Sequence, residues 1–206
     1  MSFSSCKIDE RLRYDLCKRL IDICGALSLI VLTLPLWAIA AIIIYCNDGR
    51  GVVLGQWRLC QGHKLFRMYK FRTMYRNAER GKGAVCAKKD DPRIIPACRW
   101  MRRAHIDELP QLWNVLVGDM SLVGPRPERP EIAHQLFKQI NNFAVRTTVK
   151  PGLTGLAQVT QGYTNDVNGF RVKLEHDLNY VGRRSILMDL RLLLATAQKL
   201  WDAKAC

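Results

Sequence analysis

The chain has 206 residues, 49% of them hydrophobic and 24% charged, with a formal net charge of +14. That length holds one compact domain plus an anchor, and the apolar share excludes a chain without a core. The charge points to anionic partners, which include nucleic acid, lipid headgroups and phosphorylated substrates, and by itself selects none of them. The 8 cysteines contain no CxxC pair. This excludes zinc-knuckle spacing and fits reduced thiols used as small apolar residues.

Residues 1–20 form a basic flank carrying Lys7, Arg11, Arg13, Lys18 and Arg19. Residues 21–45 are almost continuously apolar, with Asp22 as their one charge. As a helix they would extend roughly 37 Å, more than a hydrocarbon core of about 30 Å. The apolar residues cover the whole circumference, unlike the single stripe of a core helix. The segment starts too deep in the chain, and runs too long, for a cleavable export signal. The far flank is also basic, with Arg50, Arg58, Lys64, Arg67, Lys70 and Arg72. The positive-inside rule therefore places both ends in the cytoplasm. A hairpin that enters and leaves by one face satisfies this. Pro35 would break the helix by removing one backbone donor, and the Thr33 hydroxyl is available to a freed backbone group. Proline also occurs in ordinary spanning helices, so spanning and re-entrant forms both stand at this point.

Residues 46–206 read as a cytosolic domain, mostly α with a little β. Residues 46–62 suggest turn, strand, turn. Residues 64–76 alternate basic and apolar side chains, predicting a strand with a cationic face that includes Lys70 and Arg72. Residues 77–93 are a polar, glycine-bearing loop suited to moving over a site. Apolar spacing at Ile106, Leu109, Leu112, Trp113 and Leu116 predicts a helix, which Pro110 confines to a start near Leu109. Further helices are expected over 131–144, 170–181 and 185–201, with a glycine-punctuated loop or short strand over 150–162. The last helix is amphipathic, and beside an anchor it suits an interfacial position.

Asp107 and Glu108 fall where the helix begins, where unpaired N–H groups favour negative charge. Helix capping alone would explain them. Their surroundings argue for more. Arg102 and Arg103 precede them by a turn, and Arg126 lies between Pro125 and Pro127. A guanidinium held between rigid residues suits bidentate recognition of phosphate oxygens. Carboxylates, arginines and a basic strand on one small domain point to phosphoryl chemistry.

The run His105–Glu128, HIDELPQLWNVLVGDMSLVGPRPE, resembles the signature of the bacterial sugar transferase family, the small monotopic phosphoglycosyl transferases. The likeness extends to KFRTM at 70–74, to Asp91–Pro92–Arg93, to PGLTGLAQV at 151–159, and through KLEHDLNYV at 173–181 into Asp189. With the anchor it covers almost the whole chain. It implies a re-entrant membrane helix broken at Pro35 and a catalytic domain on the cytoplasmic face of a bacterial inner membrane. Thr33-Leu34-Pro35 stands where the family has a Ser–Pro pair, and His105–Ile106 replaces a common Ser/Thr–Leu.

The resemblance further implies transfer of a sugar 1-phosphate from a nucleotide sugar to a polyprenyl phosphate. Asp107 would attack phosphorus to give a covalent phosphosugar intermediate, and Glu108 would handle Mg²⁺ or protons. Mg²⁺ is the implied cofactor, with Asp107 and Glu108 as the implied metal ligands. Arg102 and Arg126 would clamp phosphate oxygens, with Lys70, Arg72 and Arg93 as further phosphate contacts and Asp91, Pro125 and Pro127 as loop supports. The expected partners are nucleotide sugar, polyprenyl phosphate and membrane lipid, with no nucleic acid. Two rivals rest on charge: a membrane-tethered nucleic-acid binder, which predicts salt-sensitive oligonucleotide binding, and a basic lipid-binding scaffold indifferent to loss of both carboxylates.

Overall fold

The computed structural model describes residues 2–76, 78, 91–161 and 166–201. The expected mobile loop over 77–93 therefore lies almost wholly outside the described residues. The chain is mostly helical with two small sheets. Helix α1 spans Ser2–Asp48, so the basic flank and the apolar segment share one helix, and the expected break at Pro35 is absent: the helix runs through it. The carbonyl that Pro35 leaves open belongs to Val31. The Thr33 hydroxyl does not serve it. It donates to Leu29 O at 2.6 Å and accepts the Trp37 indole N–H at 3.2 Å. Such back-bonding bends helices.

Along α1 the buried or partly buried residues recur every three or four positions, at Asp22, Ala26, Ile30, Thr33, Trp37, Ala40 and Ile44. This row packs on the rest of the protein from one end of the apolar segment to the other. Leu27, Val31, Leu32, Leu34, Ile39 and Ile42 point outward and are exposed. At the first end, Asp22 accepts Ser121 Oγ at 3.0 Å and Leu122 N at 2.9 Å. Asp189 joins α1 to the C-terminal helices by accepting Lys18, Tyr14 and Tyr180 at 2.8, 3.0 and 2.8 Å. At the far end, Ala40 and Ile44 pack with Phe71, Ile95, Cys98, Met101 and Ile106.

Strands β1 (Val53–Leu59) and β2 (Leu65–Phe71) form an antiparallel hairpin. Period-two alternation puts Phe66, Met68 and Lys70 on one face. Phe66 and Met68 are buried, so Lys70 lies on the inward face. The single cationic face expected from 64–76 does not form, because Arg72 falls beyond the strand and Arg67 lies on the opposite side. The free edge of β2 is paired by a side chain. Asn114, fully buried, accepts Tyr69 N at 3.0 Å and donates to Arg67 O at 2.8 Å.

After the short helix α2 (Arg99–Arg103), a 3₁₀ turn over Ile106–Glu108 leads into α3 (Gln111–Val117). Gly118 ends α3 at φ +93, a value that costs glycine little. Arg19 of α1 donates to the last carbonyls of α3, Val115 O and Leu116 O, both at 2.6 Å. Strands β3 (Ser121–Val123) and β4 (Gly152–Thr154) pair in parallel. They approach so closely that a Cβ on Gly152 would lie 2.0 Å from Gly124 N.

Helix α4 is shorter than the expected 131–144. It spans Pro130–Gln139, and Asn142 turns left-handed at φ 62 before a 3₁₀ segment over Phe143–Thr148. Helices α5 (Leu156–Thr160), α6 (Val167–Arg183) and α7 (Ile186–Trp201) complete the fold. On α7, Leu192 and Asp189 are buried while Leu187, Leu190 and Leu194 are exposed, so much of the apolar stripe read from the sequence faces outward.

Asp22→Ala would leave the Leu122 amide and the Ser121 hydroxyl buried without an acceptor. The expected cost is on the order of 2 kcal/mol. Thermal unfolding in detergent should show a lower midpoint for Asp22→Ala than for Asp22→Asn, which keeps an acceptor. Equal midpoints for the two would remove this contact from the account.

Candidate active site

The 3₁₀ turn over Ile106–Glu108 presents two adjacent carboxylates in different directions, because three residues per turn set neighbours about 120° apart. Ile106 packs into the cluster beneath the C-terminal half of α1. His105 enters the turn at φ 54, and Glu108 N donates to His105 O at 3.1 Å. Both carboxylate residues are buried, Asp107 at 7% and Glu108 at 8% exposure.

Their surroundings differ. Glu108 Oε1 accepts Lys70 Nζ at 3.0 Å and also bonds Arg126 Nη2, while Oε2 accepts Arg126 Nη1 at 3.2 Å. Burial raises the Glu108 carboxyl, but Arg126 and Lys70 outweigh it and hold the group well below the usual carboxylate range. Among the described residues no hydrogen bond reaches the Asp107 carboxylate. Burial pushes Asp107 above the ordinary value, Glu108 adds to the push, and Lys70 and Arg102 oppose it. Burial likewise lowers Lys70 while Glu108 raises it. One carboxylate is thus a pinned counter-ion. Its neighbour is buried and, among the described residues, accepts no hydrogen bond.

The profile of the bacterial sugar transferase family matches residues 13–203. The chain belongs to that family. A UDP-N-acetylgalactosamine-undecaprenyl-phosphate N-acetylgalactosaminephosphotransferase of Aeromonas hydrophila is 39% identical over 183 residues, which is 89% of this chain and 43% of that protein. A UDP-glucose:undecaprenyl-phosphate glucose-1-phosphate transferase of Caulobacter vibrioides is 38% identical, over 92% of this chain and 72% of its own length. A Bacillus subtilis protein, named as a putative undecaprenyl-phosphate N-acetylgalactosaminyl 1-phosphate transferase, is 42% identical over 67% of this chain and 76% of its own. The chain thus spans less than half of the Aeromonas relative and about three quarters of the other two.

The fold gathers some of the residues singled out in the family motifs and separates others. Lys70 and Arg126 meet at Glu108. Arg102 lies close enough to Asp107 to influence its charge, and it donates to Thr73 Oγ1 at 3.2 Å. Arg72 is turned to the end of α1, 3.2 Å from the Asp48 carboxylate and bonded to the Asp48 and Gly49 carbonyls. Arg93 forms a fork with Asp91, at 2.8 and 2.6 Å. Pro125 O accepts Gly152 N at 2.9 Å, and Pro127 O accepts Arg58 at 3.1 Å.

The sequence reading missed a buried charge cluster behind the proline-flanked loop. Glu128 accepts Arg146 at 3.2 Å and Lys173 at 2.5 Å, and Arg146 lies 2.8 Å from Asp177. Its one trace in the sequence is the spacing of Lys173 and Asp177, four apart on one face of α6, and that spacing does not tell a buried pair from a surface one.

The cluster makes a pH prediction. Burial raises Glu128, but Lys173 and Arg146 bring it from the ordinary 4.5 down to about 2. Its ionised form therefore stabilises the fold above about pH 4.5, and that contribution is lost as pH falls through about 2. Between those limits the wild type should lose on the order of 3 kcal/mol more than Glu128→Gln. Denaturant titrations at a series of pH values measure this, and parallel curves for the two proteins would refute it.

Proposed function

We propose that this protein transfers a sugar 1-phosphate from a UDP-sugar to undecaprenyl phosphate, releasing UMP and beginning assembly of a lipid-linked glycan. The observation that carries the reading is the asymmetry of the dyad: Glu108 held by Arg126 and Lys70, Asp107 buried and unbonded beside Arg102. The substrate classes come from the names of the relatives, and the geometry suits them.

A carboxylate oxygen of Asp107 attacks the phosphorus that bears the sugar. A bond forms to that oxygen, the bond to the bridging oxygen breaks, and UMP leaves with the electron pair. The resulting mixed anhydride is reactive, and an oxygen of the lipid phosphate attacks the same phosphorus and frees the carboxylate. Arg126, Arg102 and Lys70 offset the charge that gathers on the phosphoryl oxygens. Arg72 and Arg93 act from behind, by holding the end of α1 and the segment at Asp91.

Mg²⁺ fits this site as an ion carried mainly by the diphosphate. Among the described residues no cluster of three or more His, Cys, Asp or Glu side chains could cage a metal. Mg²⁺ commonly takes only one or two protein carboxylates, with phosphates and waters as its other ligands. Glu108 Oε2, with its single 3.2 Å contact, and the Asp107 carboxylate, which accepts no hydrogen bond among the described residues, would be the oxygens to hold it. The ion would neutralise the diphosphate and the leaving UMP.

The anchor reads as re-entrant, with the domain on the cytoplasmic face of the inner membrane. Helix α1 is long and apolar enough to cross a bilayer, with a mean hydropathy of 2.6 over its most apolar window. Both ends of its apolar segment pack on one domain, however, and a helix standing across a bilayer would drag that domain into the lipid. The outward leucines of α7 support an interfacial position for that helix.

Asp107→Asn keeps the shape of the side chain and removes the anion, so turnover should vanish. Wild type given UDP-N-acetylgalactosamine or UDP-glucose with Mg²⁺, but no lipid acceptor, should release up to about one equivalent of UMP. It should also gain one sugar phosphate on the peptide containing Asp107. An unmodified peptide in a protein that turns over rapidly with acceptor would make Asp107 a binding residue only.

Topology is tested separately with Cys17 and Cys46, both exposed, on either side of the apolar segment. In single-cysteine variants, a membrane-impermeant thiol reagent outside spheroplasts should label neither, and after lysis it should label both. External labelling of one alone means a spanning helix.

A further inference from the structure

We infer that Arg58 and Arg146 are positioning residues that aim Arg126 at the transferring phosphate. The inference rests on the reading of Arg126 as a phosphate clamp. Four successive carbonyls of the loop that carries Arg126 are each taken by a donor. Pro125 O accepts Gly152 N at 2.9 Å, Arg126 O accepts Arg146 Nη2 at 2.8 Å, Pro127 O accepts Arg58 Nη1 at 3.1 Å, and Glu128 O accepts Leu59 N at 3.1 Å. The outer two partners are backbone amides at the edges of the two small sheets. The inner two, on either side of Pro127, are guanidinium groups reaching in from β1 and from the 3₁₀ segment after α4.

The prolines alone do not fix the direction of Arg126. Pro125 and Pro127 hold their own φ angles, and Pro127 confines Arg126 to extended backbone. That stiffens the loop without setting its rotation about the long axis. Donors on the Arg126 and Pro127 carbonyls set that rotation, and the Arg126 side chain then falls against Glu108.

The cost of the arrangement favours a positioning role over a purely structural one. The Arg146 side chain is 4% exposed and lies between Glu128 and Asp177, with Lys173 on the same Glu128 oxygen. Burying such a cluster gives little net stability compared with apolar packing of the same volume, and well-packed apolar replacements are often the more stable. Among the described residues, Nε of Arg58 and of Arg146 have no hydrogen-bond partner, so neither guanidinium is fully satisfied there. What the two arginines supply is a fixed geometry for backbone carbonyls that would otherwise face inward without donors.

The test is a double-mutant cycle on the full-length protein in detergent, read by UMP release with undecaprenyl phosphate and the UDP-sugar it turns over fastest. Arg58 is half-buried, and Arg58→Met removes its donor while keeping its aliphatic bulk. Arg146→Lys keeps a cation between Glu128 and Asp177 and loses the second fork to Arg126 O. Each should lower kcat by about tenfold to a hundredfold with a small change in KM. In an Arg126→Ala background each should lower it by less than about twofold, because the residue they aim is gone. Equal losses in both backgrounds would show that the arginines act structurally, and would overturn the inference while leaving the clamp intact. Wild-type turnover by Arg126→Ala would overturn clamp and positioning together. Hydrogen exchange gives a readout independent of activity: Arg58→Met should speed exchange at Gly124, Arg126 and Glu128 and leave residues 111–117 unchanged. Unchanged exchange over 124–128 would also overturn the inference.

Discussion

The carboxylate of Glu108, buried between Lys70 and Arg126, ties together three parts of the chain by their charges. Lys70 arrives from the inward face of β2, Arg126 from the loop after β3, and Glu108 from the turn ahead of α3. A buried carboxylate without cations costs several kcal/mol, and buried cations without a carboxylate cost as much. The three parts are therefore held in mutual dependence. The pairing also leaves Asp107 as the member of the dyad without a hydrogen-bond partner. A division of labour between neighbours follows from the direction in which a 3₁₀ turn points two successive side chains.

Behind this triad a second layer of charge holds the loop that carries Arg126. The layer draws on β1, on the 3₁₀ segment after α4, and on α6, so elements far apart in sequence converge on four loop residues. The parallel pairing of β3 with β4 delivers the loop to that layer. It depends on Gly124 and Gly152, where the two backbones touch. Small residues at this contact govern the placement of large charged ones a few ångströms away.

Much of the fold was legible from local pattern. The apolar run, the two strands on either side of residue 62, a helix starting close to Leu109 and the C-terminal amphipathic helix all follow from periodicity and proline placement. The dyad and Arg126 were legible because they sit in one contiguous motif, and they do come together with Lys70. Three features were not legible, each for a physical reason. The period-two pattern of 64–76 does not say which face turns inward, and Phe66 and Met68 carried Lys70 to the core side. The end of α4 depends on Asn142 adopting positive φ, which no apolar spacing announces. Arg146, Lys173 and Asp177 look like ordinary surface charges in sequence. Only the long-range packing of α6 on the 3₁₀ segment after α4 buries them.

Ile106, one residue before Asp107, packs directly with Ala40 and Ile44 of the apolar helix. The Asp107 carboxylate therefore has no hinge between itself and the apolar helix, and whatever depth that helix took in a bilayer would fix the height of the carboxylate above it. On the proposed function, a water-soluble donor would approach that point from a volume. A lipid acceptor would approach it only by sliding within a plane. The second encounter would then be governed by surface density rather than bulk concentration, and a bilayer that thickens or thins beneath the helix would move the carboxylate relative to the acceptor's phosphate without altering a single contact inside the protein.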